Sequence, residues 1–138
     1  MKHQQKVFED LLAKLDLIDG KVLLCTIKTD YIPSAHFREL FSRIEAQVKA
    51  AQISKFILDG RSLRVFQQSV MSWYYLKWRT EMLKKYGLKA YREIEPEPAF
   101  IKESIQAGKE KLHQDNPWFN FSVFDFKCCK NLEDAINE

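Results

Sequence analysis

Asp59 and Arg61 flank a glycine directly after the apolar run Phe56-Ile57-Leu58. An acidic and a cationic side chain just past a buried strand could hold a ligand, because open α/β sheets bind ligands at the carboxyl ends of their strands. The same residues also suit a plain structural role, with Asp59 capping the turn and Arg61 pairing with a nearby acid, since no third catalytic partner stands beside them. A second group, Trp73, Tyr74, Tyr75 and Trp78, is packed into two helical turns among Lys77, Arg79, Lys84 and Lys85. Rings beside cations suit a protein partner, self-association or a small apolar ligand, and they also suit stacked bases and phosphates. Glu81 interrupts the basic patch and no RNA-binding signature accompanies it, which disfavours nucleic acid. An anionic membrane surface is disfavoured too, because this helix is apolar on several faces rather than on one.

The other reactive side chains converge on nothing. His36 and His113 fall on different helices and His3 near the terminus, with no Asp, Glu or Cys at metal-ligand spacing, so neither a metal nor another cofactor is expected. Cys25 belongs to an apolar run, while Cys128 and Cys129 lie near a loop without a neighbouring histidine to lower a thiol pKa. No nucleophile elbow or phosphate loop occurs. An enzyme would have to rest on Asp59 and a neighbouring His or Tyr, and it ranks behind a binding module or a small-molecule carrier.

The elements that must position these residues follow from periodicity. Leu11 to Ile18 alternates, with Leu11, Ala13, Leu15 and Leu17 on one face and Lys14 and Asp16 on the other, as in a half-buried strand. A helix through Val7, Phe8, Leu11, Leu12 and Leu15 competes with it. Asp19-Gly20 favours the strand, since it marks a hairpin turn returning through Lys21 to Lys28. From Ser34, a candidate N-cap, to Ala51 the apolar residues Phe37, Leu40, Phe41, Ile44 and Val48 make one stripe, the mark of a helix laid on a sheet.

Lys55 to Leu58 reads as a central strand, and Val65 to Tyr86 as a long helix stopped at Gly87. Leu88 to Ile94 is a further strand, polar enough at Arg92 and Glu93 to suggest an edge. Pro98 opens another helix, weakened at Gly108; Phe119 to Phe124 alternates as a strand, and Asn131 caps a short last helix, Leu132 to Asn137. The order ββαβαβαβα predicts an α/β fold: one mixed, largely parallel sheet of about five strands with flanking helices. No linker or repeat divides the 138 residues, so one domain is expected over 1–138.

Composition sets the class. Apolar residues make up 46% and charged residues 30%, which describes a globular protein rather than a disordered one. The charge of +3 argues for no nucleic-acid partner by itself. The apolar cluster around Val70 to Leu76 falls far short of the roughly 20 residues that span a bilayer, and charge breaks up the N-terminal stretch where a signal would need an apolar block. These features, with an odd number of cysteines, suggest the cytoplasm.

The run FILDGRSLRVF with its Trp-bearing helix, then YGLKAY, then FSVFDF and NLEDAI, resembles the SpoIIAA-like members of the STAS superfamily, bacterial domains related to anti-sigma factor antagonists. The resemblance covers the chain from about Val22 onward. It implies a non-enzymatic regulatory scaffold acting through protein-protein contacts, with nucleotide-linked regulators or apolar ligands bound by some relatives. In the antagonist subgroup a serine after the central strand is phosphorylated; the matching stretch here is Gln67-Gln68-Ser69, where only Ser69 survives and the acidic residue and glycine are missing. Ser69 is therefore not expected to be a phosphosite.

Four side chains in two turns run round much of a helix, so at least one of Trp73, Tyr74, Tyr75 and Trp78 should face outward or line a cavity. Tyr74 and Trp78, four apart beside Lys77, are the expected outward pair. For the cysteines the expectation is free thiols: titration of the unfolded, non-reduced protein should find all three reactive, and fewer would reveal a bridge.

Overall fold

The computed structural model describes residues 3–138. Six strands form one sheet in sequence order: β1 (Gln4–Glu9), β2 (Ala13–Ile18), β3 (Val22–Ile27), β4 (Lys55–Asp59), β5 (Ala90–Ile94) and β6 (Asp125–Cys129). β1, β2 and β3 pair antiparallel, and β3 to β6 pair parallel. The predicted α/β class with a single mixed sheet is what the chain adopts, with one strand more than expected.

The extra strand is β1. Its residues are mostly exposed and it lies at an edge, so it needs little of the apolar alternation that marks a half-buried strand. The segment expected to begin at Leu11 starts at Ala13, because Asp10 Oδ1 accepts the amide protons of Leu12 (2.8 Å) and Ala13 (2.9 Å) in a turn that leaves Leu11 90% exposed. The competing helix does not form. Asp19 and Gly20 turn the chain with positive φ of 52° and 71°, as the hairpin expectation requires.

Three crossovers join the parallel strands: α1 (Ser34–Ala51); a long helix made of α2 (Gln68–Ser72), a π segment (Trp73–Trp78) and α3 (Arg79–Tyr86); and α4 (Ala99–Asp115). Each step moves the sheet one strand in the same direction, and crossovers of one hand then put every helix on the same face. Ala13, Leu15, Leu23, Cys25, Phe56, Leu58 and Tyr91 form the sheet side of this core, and all three helices pack on it. The other face is covered in part by α5 (Leu132–Asn137), whose Ala135 sits with Ile18, Leu24, Ile57 and Ile94 in a smaller cluster. Asn131 caps α5 as expected, its Oδ1 accepting from the Asp134 amide at 2.8 Å.

Several boundaries differ from the sequence reading. Pro33 rather than Ser34 occupies the cap position of α1, and no side chain caps it. The long helix begins at Gln68 instead of Val65 and ends at Gly87, whose φ of 72° is the left-handed stop that was expected. β5 is no edge strand: it lies between β4 and β6, and its polar residues are buried with partners. The predicted strand Phe119–Phe124 is instead a loop ending in a short 3₁₀ turn, Phe121–Val123, and the strand follows as β6, where register with β5 rather than side-chain alternation sets the pairing. Gly108, expected only to weaken its helix, lets α4 approach α2: a Cβ there would stand 3.1 Å from Gln68 Oε1 and 3.2 Å from Met71 Cε.

The aromatic cluster turns inward. Tyr74 and Trp78, the expected outward pair, are 1% and 3% exposed. Trp78 lies four residues after Tyr74 and three after Tyr75, spacings that put all three on one stripe of a helix; only Trp73 falls off it. Phe41 of α1 meets the Trp78 ring edge-on at 4.9 Å, and Phe56 of β4 lies 5.7 Å away, so this stripe is the centre of the core. Trp78→Ala should therefore cost about 3 to 5 kcal/mol of folding stability. Trp73→Ala, at a half-buried site against Phe37 and Phe41, should cost distinctly less; chemical denaturation of the two variants reads the order, and equal losses would contradict it.

Candidate functional site

Asp59 and Arg61 satisfy each other. Buried Asp59 accepts from Arg61 at Nε (3.0 Å) and Nη2 (2.7 Å) and from the Arg61 amide (3.2 Å), while the amide of Gly60 bonds the carbonyl of Ile94 (2.9 Å). The pair closes the turn after β4 and pins it to β5. Arg61 takes its acid from two residues away, Arg64 Nη1 donates to the Arg61 carbonyl (3.0 Å), and no second acid forms an ion pair with Arg61 among the described residues.

Convergence occurs elsewhere, between the long helix, α4 and the chain entering β6. There a cavity of about 270 Å³ is bounded by Tyr75 and Arg79 from the long helix, Lys109, Leu112 and His113 from α4, and Phe121, Phe124 and Phe126 from the 3₁₀ turn and β6, with exposed Ser122 at its mouth. His113 stacks on Phe121 with ring centroids 3.8 Å apart. A hollow beside Phe8, His36 and Arg43 offers only about 60 Å³, room for water rather than for a ligand.

The π segment shapes one wall. The amide of Arg79 donates to the carbonyl of Tyr74, five residues back, and this wider turn is the local mark of a π-helix. Side chains add bonds within the widened turns: Arg79 Nε donates to the Tyr75 carbonyl (3.2 Å) and Thr80 Oγ1 to that of Leu76 (2.6 Å). Arg79 is thereby drawn inward until only 3% remains exposed. Five rings surround its guanidinium carbon, with Phe124 at 4.5 Å, Tyr75 at 4.7 Å, Tyr91 at 5.4 Å, Phe126 at 5.5 Å and Tyr74 at 5.9 Å. No carboxylate pairs with it among the described residues, and Nη1 is buried without a hydrogen-bond acceptor.

Lys109 is held differently. Its Nζ lies 3.1 Å from Glu93 Oε1 and 3.6 Å from Glu95 Oε2, while Tyr75 donates its hydroxyl proton to Glu93 Oε2 at 2.5 Å. Burial alone would lower the Lys109 pKa, but Glu93 and then Glu95 outweigh it and hold the ammonium above its ordinary 10.5. Burial first, and the charge of Glu93 second, push the phenols of Tyr74 and Tyr75 well above their ordinary value. Cys128, though an exposed residue, has its sulfur 3.8 Å from Lys109 Nζ; burial on that side pushes the thiol up to about 12 despite the cation, so it is no nucleophile at neutral pH.

Of the residues singled out from sequence, Tyr75 reaches the cavity wall, Tyr74 and Trp78 belong to the core, Trp73 packs half-buried against α1, and Asp59 and Arg61 lie apart from it. Arg79, Lys109, Leu112, His113, Phe121, Phe124 and Phe126 were missed as a site. A signal existed for two of them. Lys109 falls on the stripe of Ile101, Ile105 and Leu112, and Arg79 follows Tyr75 and Trp78 at the edge of theirs, so each is a charge on a buried face. Ser69, expected inside a helix rather than at an exposed position, is exposed in the first turn of α2.

The geometry defines an α/β chain with a ring-lined cavity beside a π turn. No protein-family model, curated protein or solved structure matches the chain. No described helix is long and apolar enough to cross a membrane, and no described group of His, Cys, Asp and Glu has the arrangement to hold a metal ion.

The buried phenols and Lys109 fix the alkaline behaviour. All are held above their unfolded values, so the stability they supply is complete below the unfolded values, near 10, and is lost as pH rises through the raised folded ones. The thiols of Cys25, Cys128 and Cys129 are raised as well, from an ordinary value of 9.0, so the denaturation midpoint should stay level from neutral pH to about 9 and fall beyond it. The ring NMR signals of Tyr74 and Tyr75 should show tyrosinate only with unfolding; tyrosinate at these two residues in the folded protein at the ordinary tyrosine pKa would contradict their burial.

Proposed function

We propose that this chain is a binding module without catalysis, holding a small and largely apolar molecule in the cavity between the long helix, α4 and β6. The observation that carries the reading is the cavity itself. Its volume of about 270 Å³ lies just below the roughly 300 Å³ at which sites for drug-sized molecules begin, and its walls join the rings of Tyr75, His113, Phe121, Phe124 and Phe126 to the polar groups of Arg79, Lys109 and Ser122. The π turn beside it supports the assignment, since such turns recur at functional sites. A catalytic reading gains less support, because Glu93 is engaged by both Tyr75 and Lys109 and the Tyr75 phenol holds its proton harder than usual.

A STAS-like assignment is part of the same proposal. It is supported by the Asp59-Gly60-Arg61 turn after a parallel strand and by the acidic first turn of the last helix, Glu133 and Asp134. A protein partner is the second reading, favoured by Trp118, which is 74% exposed and meets Phe119 edge-on at 5.8 Å on the loop that continues into the cavity wall. The cytoplasm is the proposed setting. Support comes from the odd cysteine count and from Cys128 and Cys129, which as neighbours on β6 point to opposite faces of the sheet.

2-Naphthalenemethanol, a neutral bicyclic probe, tests the reading by amide NMR. Saturable shifts should centre on Tyr75, Leu112, Phe121, Phe124 and Phe126, and Ser122→Trp, which lays a ring across the mouth, should weaken binding roughly tenfold or more without unfolding the chain. Absence of saturable binding, or shifts centred elsewhere, would overturn it.

A further inference from the structure

Arg79 poses a problem that the fold does not solve. A guanidinium carries five N–H donors and keeps its charge at any relevant pH. Here Nε bonds the Tyr75 carbonyl, Nη1 is buried without an acceptor, and no acid lies within ion-pair distance of the group among the described residues. Ring faces ease the charge through their quadrupoles but do not replace a lone pair in the plane of the donors. A buried charged donor left without an acceptor is a costly feature that calls for an explanation, and a functional role or a bound partner is among those such groups have.

Nη1 itself has essentially no accessible surface, so a ligand would meet the guanidinium through the part of Arg79 that lines the cavity. Arg79 lines the cavity, as do three of the rings over its guanidinium: Tyr75, Phe124 and Phe126. We propose that the cavity is a carboxylate site: its ligand is a small monocarboxylate with an aromatic or compact apolar body, the acid group bonding Arg79 and the body lying among Leu112, Phe121 and Phe124. The proposal rests on the cavity being a ligand site, and it adds the charge and orientation of the ligand.

A single negative charge is the form that fits. Lys109 is the second cation of the cavity, but Glu93 and Glu95 share it, so two acids stand against two cations before any ligand enters. A monoanion takes up the free donors of Arg79. A phosphate monoester carries up to two charges and would face Glu93 and Glu95 with more repulsion. A planar carboxylate also matches the fork of a guanidinium, two oxygens to two N–H groups. The arrangement explains why Arg79 stands apart from the acids: a salt bridge to Glu93 would occupy the donors the ligand needs.

Binding of 2-naphthoate and of 2-naphthalenemethanol, which share a ring system and differ in charge, tests this at neutral pH by calorimetry. The acid should bind roughly tenfold tighter or better, the discrimination expected of charge-assisted hydrogen bonds. Arg79→Met should abolish that preference while leaving the alcohol bound about as before, its folding being checked by denaturation. Should the variant fail to fold, the side-chain NMR signals of Arg79 in the unaltered protein serve instead, and they should shift with the acid and not with the alcohol. Equal affinity for the two probes would overturn the carboxylate assignment and leave the cavity reading standing. Preference for the acid retained in Arg79→Met would place the anion elsewhere and overturn it too; no binding of either probe would overturn both readings.

Discussion

Two adjacent charged residues on a buried strand must find partners on opposite faces of the sheet, because side chains alternate along a strand. β5 imposes this with Arg92 and Glu93, 2% and 4% exposed. Arg92 bonds the carbonyl of Asp125 (2.7 Å), its carboxylate (3.1 Å) and the carbonyl of Glu138 (2.7 Å), which ties the start of β6 and the end of α5 to the sheet. On the opposite face Glu93 takes Tyr75 and Lys109, one from the long helix and one from α4. The last parallel strand, the last helix and the two helices that bound the cavity are all fastened to this pair of residues. Removing one partner of either cluster would leave a buried charge uncompensated, which is why such clusters are hard to alter singly.

Around this anchor the layers divide the work. The face of the sheet under the crossover helices is apolar and aromatic, with the Phe41, Phe56, Tyr74, Trp78 and Tyr91 rings meeting at centroid distances of 4.9 to 6.5 Å and mostly edge to face. Such packing is dense near α1 and opens toward α4, where the loop after α4 supplies rings without closing the space between them. The π segment lies between the two regions. Its widened turns keep Tyr74 and Trp78 in the core while Tyr75 and Arg79 reach the cavity.

The cavity and the Asp59-Arg61 turn show how alike two charged sites can look in sequence. At the turn, an arginine two residues from its aspartate can bend back and satisfy it locally, so the pair is closed before any ligand is considered. In the cavity, Arg79 is fixed by a helix among rings and its donors cannot swing to an acid on the same element. The difference lies in what surrounds each arginine rather than in the local sequence.

Periodicity and turn chemistry were enough to identify most elements. The stripe Phe37, Leu40, Phe41, Ile44 and Val48 specifies α1, Asp19-Gly20 the hairpin, Gly87 the end of the long helix and Asn131 the last cap, because each is a short-range effect of side-chain spacing or backbone freedom. The α/β class follows from their order. Edge strand β1 and the displaced β6 were not legible, since their pairing depends on neighbouring strands far away in the chain rather than on their own pattern. The inward turn of Tyr74 and Trp78 was legible in principle from three- and four-residue spacing. The cavity was decided by tertiary structure alone. Arg79, Lys109, Phe121 and Phe126 come from three separate segments, and only the packing of α4 and β6 against the long helix determines that one cation finds acids while the other is buried among rings at the cavity wall without one.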